Sequence, residues 1–127
     1  MSTAAQLSPL VTRLRAELGD DRVVTDRQEL RTYQCDGLAH YKVMPAVVVL
    51  PRTTEQVAAV VRACVDHRVP YVARGSGTGL SGGALPHADG VLVVTSQMRE
   101  IRDIDPADQR AVVQPGVINL HVTQRAL

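Results

Sequence analysis

The sequence predicts an α+β domain in which a β–α–β unit delivers the chain into a glycine-rich loop. Three observations predict it. Residues 46–50 form a continuous apolar run, as expected of a parallel strand buried on both faces. Val57, Val60, Val61, Cys64 and Val65 then recur at helical spacing before the short apolar run Tyr71-Val72-Ala73. Directly after that run, Gly75, Gly77, Gly79, Gly82 and Gly83 fall within nine residues.

The elements follow in order. Residues 1–35 read as an N-terminal helical segment and residues 36–127 as the main domain. Ser8 is expected to cap a first helix with Pro9 at its first position, and Gly19 to follow its end. Leu7, Leu10, Val11, Leu14 and Leu18 give that helix one apolar stripe. Asp26 with Glu29 three residues later marks the start of a second, short helix. Asp36-Gly37 breaks it, and residues 36–44 read as a connection. Pro51 stops the first strand, and Thr53 with Gln56 opens the central helix. His67 and Arg68 are expected in its last turn, with Pro70 beyond the stop. A right-handed crossover then leads to the second strand and the glycine loop. After Asp89-Gly90, residues 91–95 read as a third apolar strand. Residues 101–105 and 111–114 read as two strands joined around Pro106-Ala107-Asp108. Pro115-Gly116 breaks the chain, and a last helix starts near Asn119.

Composition narrows the function. The chain has 127 residues, a formal net charge of +1 and 45% hydrophobic residues, enough for one domain with a real core. It has no Phe or Trp and no run of Lys and Arg, so a nucleic-acid partner lacks both the phosphate-contacting stripe and the stacking platforms it needs. No apolar run approaches the roughly 20 residues of a membrane span, and none resembles a signal peptide, so a cytoplasmic protein is expected. Cys35 and Cys64 lack zinc-type spacing, and Cys64 is expected to be a buried, inert thiol. His40, His67, His87 and His121 read as surface or helix-end residues, and no metal ligand is assigned.

The glycine loop carries the chemistry. Successive N–H groups in such a segment can converge on an anion, most simply a phosphate or pyrophosphate. The bland alternative is a tight turn that binds nothing. Gly77-Thr78-Gly79-Leu80-Ser81-Gly82 matches G-x-G-x-x-G, but a dinucleotide fingerprint needs a helix opening inside the motif. Pro86 and Asp89-Gly90 leave no room for one, and the next strand ends without an acidic residue to hold a ribose. No Lys-Ser or Lys-Thr follows the glycines, which excludes a Walker loop. The segment therefore reads as a backbone cradle leading into another strand.

Residues 74–83, Arg-Gly-Ser-Gly-Thr-Gly-Leu-Ser-Gly-Gly, resemble the pyrophosphate loop of FAD-linked oxidases of the vanillyl-alcohol oxidase and p-cresol methylhydroxylase (PCMH) type. The nearest resemblance is to the FAD-binding subunit of glycolate oxidase and to flavin-dependent D-lactate dehydrogenases. Pro45-Ala46-Val47-Val48-Val49-Leu50-Pro51, with Thr53 and Val57, resembles the opening strand and helix of that domain. Val112-Val113-Gln114-Pro115-Gly116-Val117 resembles its second cofactor-facing turn. The three segments occur in the family's order, over residues 36–127.

The resemblance implies the following. The fold is the N-terminal β–α–β lobe of a PCMH-type FAD-binding domain plus the start of its second lobe. Backbone amides of Gly75, Ser76, Gly77, Thr78 and Gly79 hold the FAD diphosphate, with hydroxyl donors from Ser76 and Thr78. Leu80, Ser81, Gly82 and Gly83 run along the flavin side, and Pro115 and Gly116 pack close to it. Arg74 either adds positive charge near the diphosphate or braces the loop; the residues alone leave both open. Some relatives anchor flavin covalently through a histidine in this loop. Thr78 stands in the comparable place, so noncovalent FAD is implied. No catalytic residue falls within this chain.

The implied parent reaction is oxidation of a small 2-hydroxy acid, of glycolate or D-lactate type, to the 2-oxo acid. Reoxidation would fall to an iron–sulfur or other electron-accepting subunit. The chain is then expected to be an N-terminal portion without turnover of its own, weak in FAD affinity and prone to aggregate. An FAD-linked oxidase of an aldose or a phenol, and a non-catalytic nucleotide-binding remnant, are the alternatives.

Overall fold

The structure, a computed structural model, describes residues 4–127; the first three residues of the helical segment lie outside it. A four-stranded sheet in the order β1-β2-β4-β3 forms the centre, from β1 (Val23–Val24), β2 (Val47–Val49), β3 (Tyr71–Arg74) and β4 (Val91–Val94). β2, β4 and β3 run parallel, with Val48 opposite Leu92 and Leu92 opposite Val72. β1 pairs antiparallel with β2. The expected β–α–β unit is present, but its two strands are not neighbours. β4, the third strand in sequence, is inserted between them. Its residues Val91, Leu92, Val93 and Val94 are all buried, as a central position requires.

Two apolar layers sandwich this sheet. On one face, Leu10, Leu14 and Leu18 of α1 (Ala4–Leu18) and Val60, Ala63 and Cys64 of α3 (Thr54–Asp66) meet Val47, Val49, Val91 and Val93. On the other, Leu30 of α2 (Arg27–Leu30) joins Val48, Leu92 and Val94, with Tyr33 and Met44 packed alongside. Residues alternating along β2 and β4 therefore serve opposite cores, which is why both strands read as unbroken valine and leucine runs.

The helix starts separate into those the sequence marks correctly and one it does not. Asp26 caps α2, its carboxylate accepting from the N–H groups of Gln28 and Glu29. Thr53 caps α3 through Gln56 N–H, and the Gln56 amide oxygen returns to accept from Arg52 N–H. α1, however, does not begin at Ser8. It extends through Pro9 from Ala4, and Ser8 lies inside it, its carbonyl accepting from the Thr12 hydroxyl. Proline removes one helical hydrogen bond, but the fully buried Leu10 and Leu14 hold that stretch on the sheet. At the other end of α3, His67 and Arg68 follow the last turn and do not belong to it. Arg68 adopts the left-handed conformation at φ 55°, and Val69 N–H closes back on Cys64 O.

Beyond the sheet, β5 (Ile101–Asp105) and β6 (Arg110–Val113) form a separate antiparallel hairpin, followed by α4 (Asn119–Ala126). Val112, Val113, Ile118 and Leu120 lie exposed there. Among the described residues no helix is long and apolar enough to cross a membrane.

Cys64 is fully buried, and desolvation pushes its thiol up to about 11. A thiol reagent at pH 8 is therefore expected to modify Cys35 first and to reach Cys64 only in denaturant. Equal labelling of both in the native chain would contradict this. Because the folded value is the higher one, Cys64 favours the fold below the ordinary thiol range. That contribution falls away as pH rises towards about 11.

Candidate functional site

The glycine loop leaves the carboxyl end of β3, beside the carboxyl end of β4. Open α/β sheets place ligands at such ends. Thr95 fixes the loop's root: its N–H and its hydroxyl both donate to the Arg74 carbonyl, at 2.8 and 3.2 Å. Between β3 and β4, residues 75–90 contain turns and bends but no helix, as the cradle reading requires.

The five glycines divide by the reason each is glycine. Gly77 and Gly82 adopt φ +74°, which disfavours any side chain. Gly75, Gly79 and Gly83 have no positive φ, and a Cβ built on each would meet nothing within 4 Å among the described residues. The fold itself does not require glycine at these three. They present bare backbone to open space, which is what close approach of a ligand to main-chain N–H groups needs. The side chains of Ser76 and Thr78 lie 3.3 Å apart, oxygen to oxygen, on the exposed side of the loop. Leu80 and Ser81 are also exposed, Leu80 to 74%.

The second predicted element comes to the same place. Ser76, Pro115 and Gly116 line one cleft of about 370 Å³ with Ser96, Val117, Ile118 and Asn119. Gly116 packs onto the turn after β4, where its N–H donates to Met98 O at 2.8 Å. A Cβ there would lie 2.5 Å from Thr95 O and 2.7 Å from Met98 O. None of the cleft residues is charged, so an anion there would be met by backbone dipoles and hydroxyls. α4 also begins at this cleft, with Ile118 at its N-cap making no side-chain capping bond. The remaining loop residues, Gly75 and Gly77 to Gly83, do not line it.

Arg74 lies beneath the loop. Its Nη1 donates to Cys35 O at 2.7 Å and to Tyr33 O at 3.3 Å, and its guanidinium carbon sits 5.9 Å from the centre of the Tyr33 ring. The loop also rests directly on the connection after α2: a Cβ on Gly37 would come within 2.6 Å of Thr78 O and 2.7 Å of Gly79 O. Asp36, buried beside it, accepts from Leu38 N–H through Oδ1. Its Oδ2 has no partner among the described residues. Sequence reasoning missed this floor, together with the place of Ser96 and Asn119 in the cleft. Asp36-Gly37 was legible only as a turn, and nothing local marks the Tyr33 and Cys35 carbonyls as acceptors for an arginine some forty residues away. Among the described residues no cluster of His, Cys, Asp or Glu could hold a metal.

A family model described as an FAD binding domain matches residues 45–126. The chain belongs to that family. FAD is the cofactor of this domain, and the open glycine cradle beside the Pro115-Gly116 turn fits a group that needs close backbone approach. The chain is 49% identical, over 87% of its length, to the glycolate oxidase subunit GlcD of Escherichia coli, of which it covers 22%. It is 34% identical, over 92% of its length, to the D-2-hydroxyglutarate dehydrogenase of Stutzerimonas stutzeri, of which it covers 25%. Among solved structures, p-cresol methylhydroxylase with substrate bound superposes with a TM-score of 0.82 at 27% identity, over 97% of this chain and 25% of that one. The fold is thus that of a PCMH-type FAD-binding domain, in part. The chain spans about a quarter or less of the length of these relatives.

Proposed function

We propose that this chain is the FAD-holding portion of a flavin-dependent oxidoreductase that converts a small 2-hydroxy acid, of glycolate or D-lactate type, into the 2-oxo acid. One observation carries the reading: Gly75, Gly79 and Gly83 are glycines without an internal reason, on a loop at the carboxyl end of a parallel strand. The substrate class is supported by the names of relatives at 49% and 34% identity, against 27% for p-cresol methylhydroxylase.

In this reading amides of residues 75–79 bind the diphosphate, and the Ser76 and Thr78 hydroxyls add donors. Residues 80–83 follow the cofactor towards the flavin, and Pro115 and Gly116 close the far wall of the cleft. Bound FAD supplies the acceptor for the two electrons of such an oxidation. The base for the hydroxyl proton and the pocket for the carboxylate are not assigned to any residue here, so the chain alone is expected to show no turnover. The relative's designation as a subunit supports a multi-subunit working enzyme, in which an iron–sulfur or other electron-accepting subunit would reoxidise the flavin. Two free cysteines accord with a reducing, cytoplasmic setting.

Flavin titration tests the reading. FAD is expected to bind, weakly, and riboflavin, which lacks the diphosphate, at least about 100-fold more weakly, since each tenfold corresponds to about 1.4 kcal/mol of phosphate contact. Equal affinity for the two would overturn it. Acid precipitation is expected to release all the flavin into the supernatant, because Thr78 offers no nucleophile like the histidine of covalent relatives. Flavin retained in the pellet would show a covalent link.

A further inference from the structure

We propose that Arg74 is a positioning residue that holds the phosphate loop in its binding shape from below and does not itself ligate phosphate. This rests on the FAD reading for its functional meaning, but its structural grounds are independent.

The arginine backbone is pinned at the end of β3, where its carbonyl takes both Thr95 donors. From there the side chain turns back under the loop. Nη1 donates to the carbonyls of Tyr33 and Cys35, and the guanidinium lies against the Tyr33 ring. The plane of the same guanidinium fills the space where a side chain on residue 77 would begin: a Cβ on Gly77 would collide with Nη2, Cζ and Nε. The middle of the loop therefore sits on the cation. The next residues sit on the connection after α2, a strap from Tyr33 to Gly37, with Gly37 against the carbonyls of Thr78 and Gly79.

These contacts run in one direction. The strap's carbonyls need donors, and a planar guanidinium supplies them in a fixed fork while presenting a flat face to Gly77. At Gly75 and Gly79, by contrast, a Cβ would meet nothing within 4 Å, which leaves the backbone there open to a phosphate. A loop already held in shape loses less freedom when its ligand arrives, and binding is tighter for it. Lysine carries the same charge but is a point donor on a flexible stem. It can reproduce the charge and not the fork.

The test compares the chain with Arg74→Lys and Arg74→Gln. Amide hydrogen exchange of residues 75–79 is read without flavin, with Val47–Val49 of β2 as the internal reference, and FAD affinity is read by titration. Both variants are expected to exchange faster in the loop while β2 is unchanged, and both to bind FAD about tenfold more weakly. Gly37→Ala, which presses on the other support, is expected to do the same. Retention of FAD affinity by Arg74→Lys with loss in Arg74→Gln would make the residue a charge ligand of the phosphates and overturn the proposal. Unchanged loop exchange in both variants would overturn it too, as would faster exchange throughout β2, which would mean general destabilisation. If the unaltered chain binds no FAD, the functional reading fails, and the exchange comparison still decides whether Arg74 holds the loop.

Discussion

Gly79→Val is expected to leave the fold intact and to abolish measurable FAD binding. The backbone at Gly79 has no positive φ, and the added side chain would enter open space, so nothing within the described residues resists it. The thermal midpoint should therefore stay within about 2 °C of the unaltered chain, the range of a surface substitution. The new methyl groups would occupy the volume through which the diphosphate must approach the main-chain N–H groups. A loss of about 100-fold or more in FAD affinity, roughly 2.7 kcal/mol, is the expected result. Gly75→Val should behave alike. Titration together with a melting curve checks both halves. FAD binding unchanged by either substitution would remove the ligand as the reason these residues are glycine.

Gly116→Ala is expected to do the reverse, damaging the fold first. Its Cβ would stand 2.5 Å from Thr95 O, 2.7 Å from Met98 O and 2.9 Å from the Ser96 carbonyl carbon. All three are backbone atoms, which cannot rotate away as a side chain could. The turn after β4 and the Pro115-Gly116 turn must separate, and the Gly116 N–H bond to Met98 O is strained with them. A destabilisation of about 1–3 kcal/mol follows from overpacking of this kind, or roughly 4–11 °C in the melting midpoint at this chain length. FAD affinity should fall with it, since the cleft between Ser76 and Gly116 is set by that contact. A melting midpoint unchanged by the methyl group would show that the turn yields freely.

The two substitutions separate glycines that the sequence cannot tell apart. In the sequence, Gly75, Gly77, Gly79, Gly82 and Gly83 form one cluster with one plausible purpose. In the structure, Gly77 and Gly82 answer to backbone conformation, Gly77 also to Arg74, and the other three to open space. The same holds for Arg74, whose charge suggested either a phosphate ligand or a brace. Its position between the Tyr33 and Cys35 carbonyls and the underside of Gly77 favours the brace.

What the sequence determined by itself was local. Runs of valine and leucine, the Asp26 and Thr53 caps and the glycine cluster each act over a few residues, so strands, the starts of α2 and α3 and a helix-free glycine loop were legible in order. The tertiary structure alone decided the rest. β4 took the centre of the sheet because a strand apolar on both faces is most fully covered there. α1 ran through Pro9 because burying Leu10 and Leu14 outweighs one missing hydrogen bond. The floor of the loop, from Tyr33 to Gly37, depends on contacts between residues some forty positions apart. No local pattern encodes such contacts, because they exist only once the sheet has brought the two segments together.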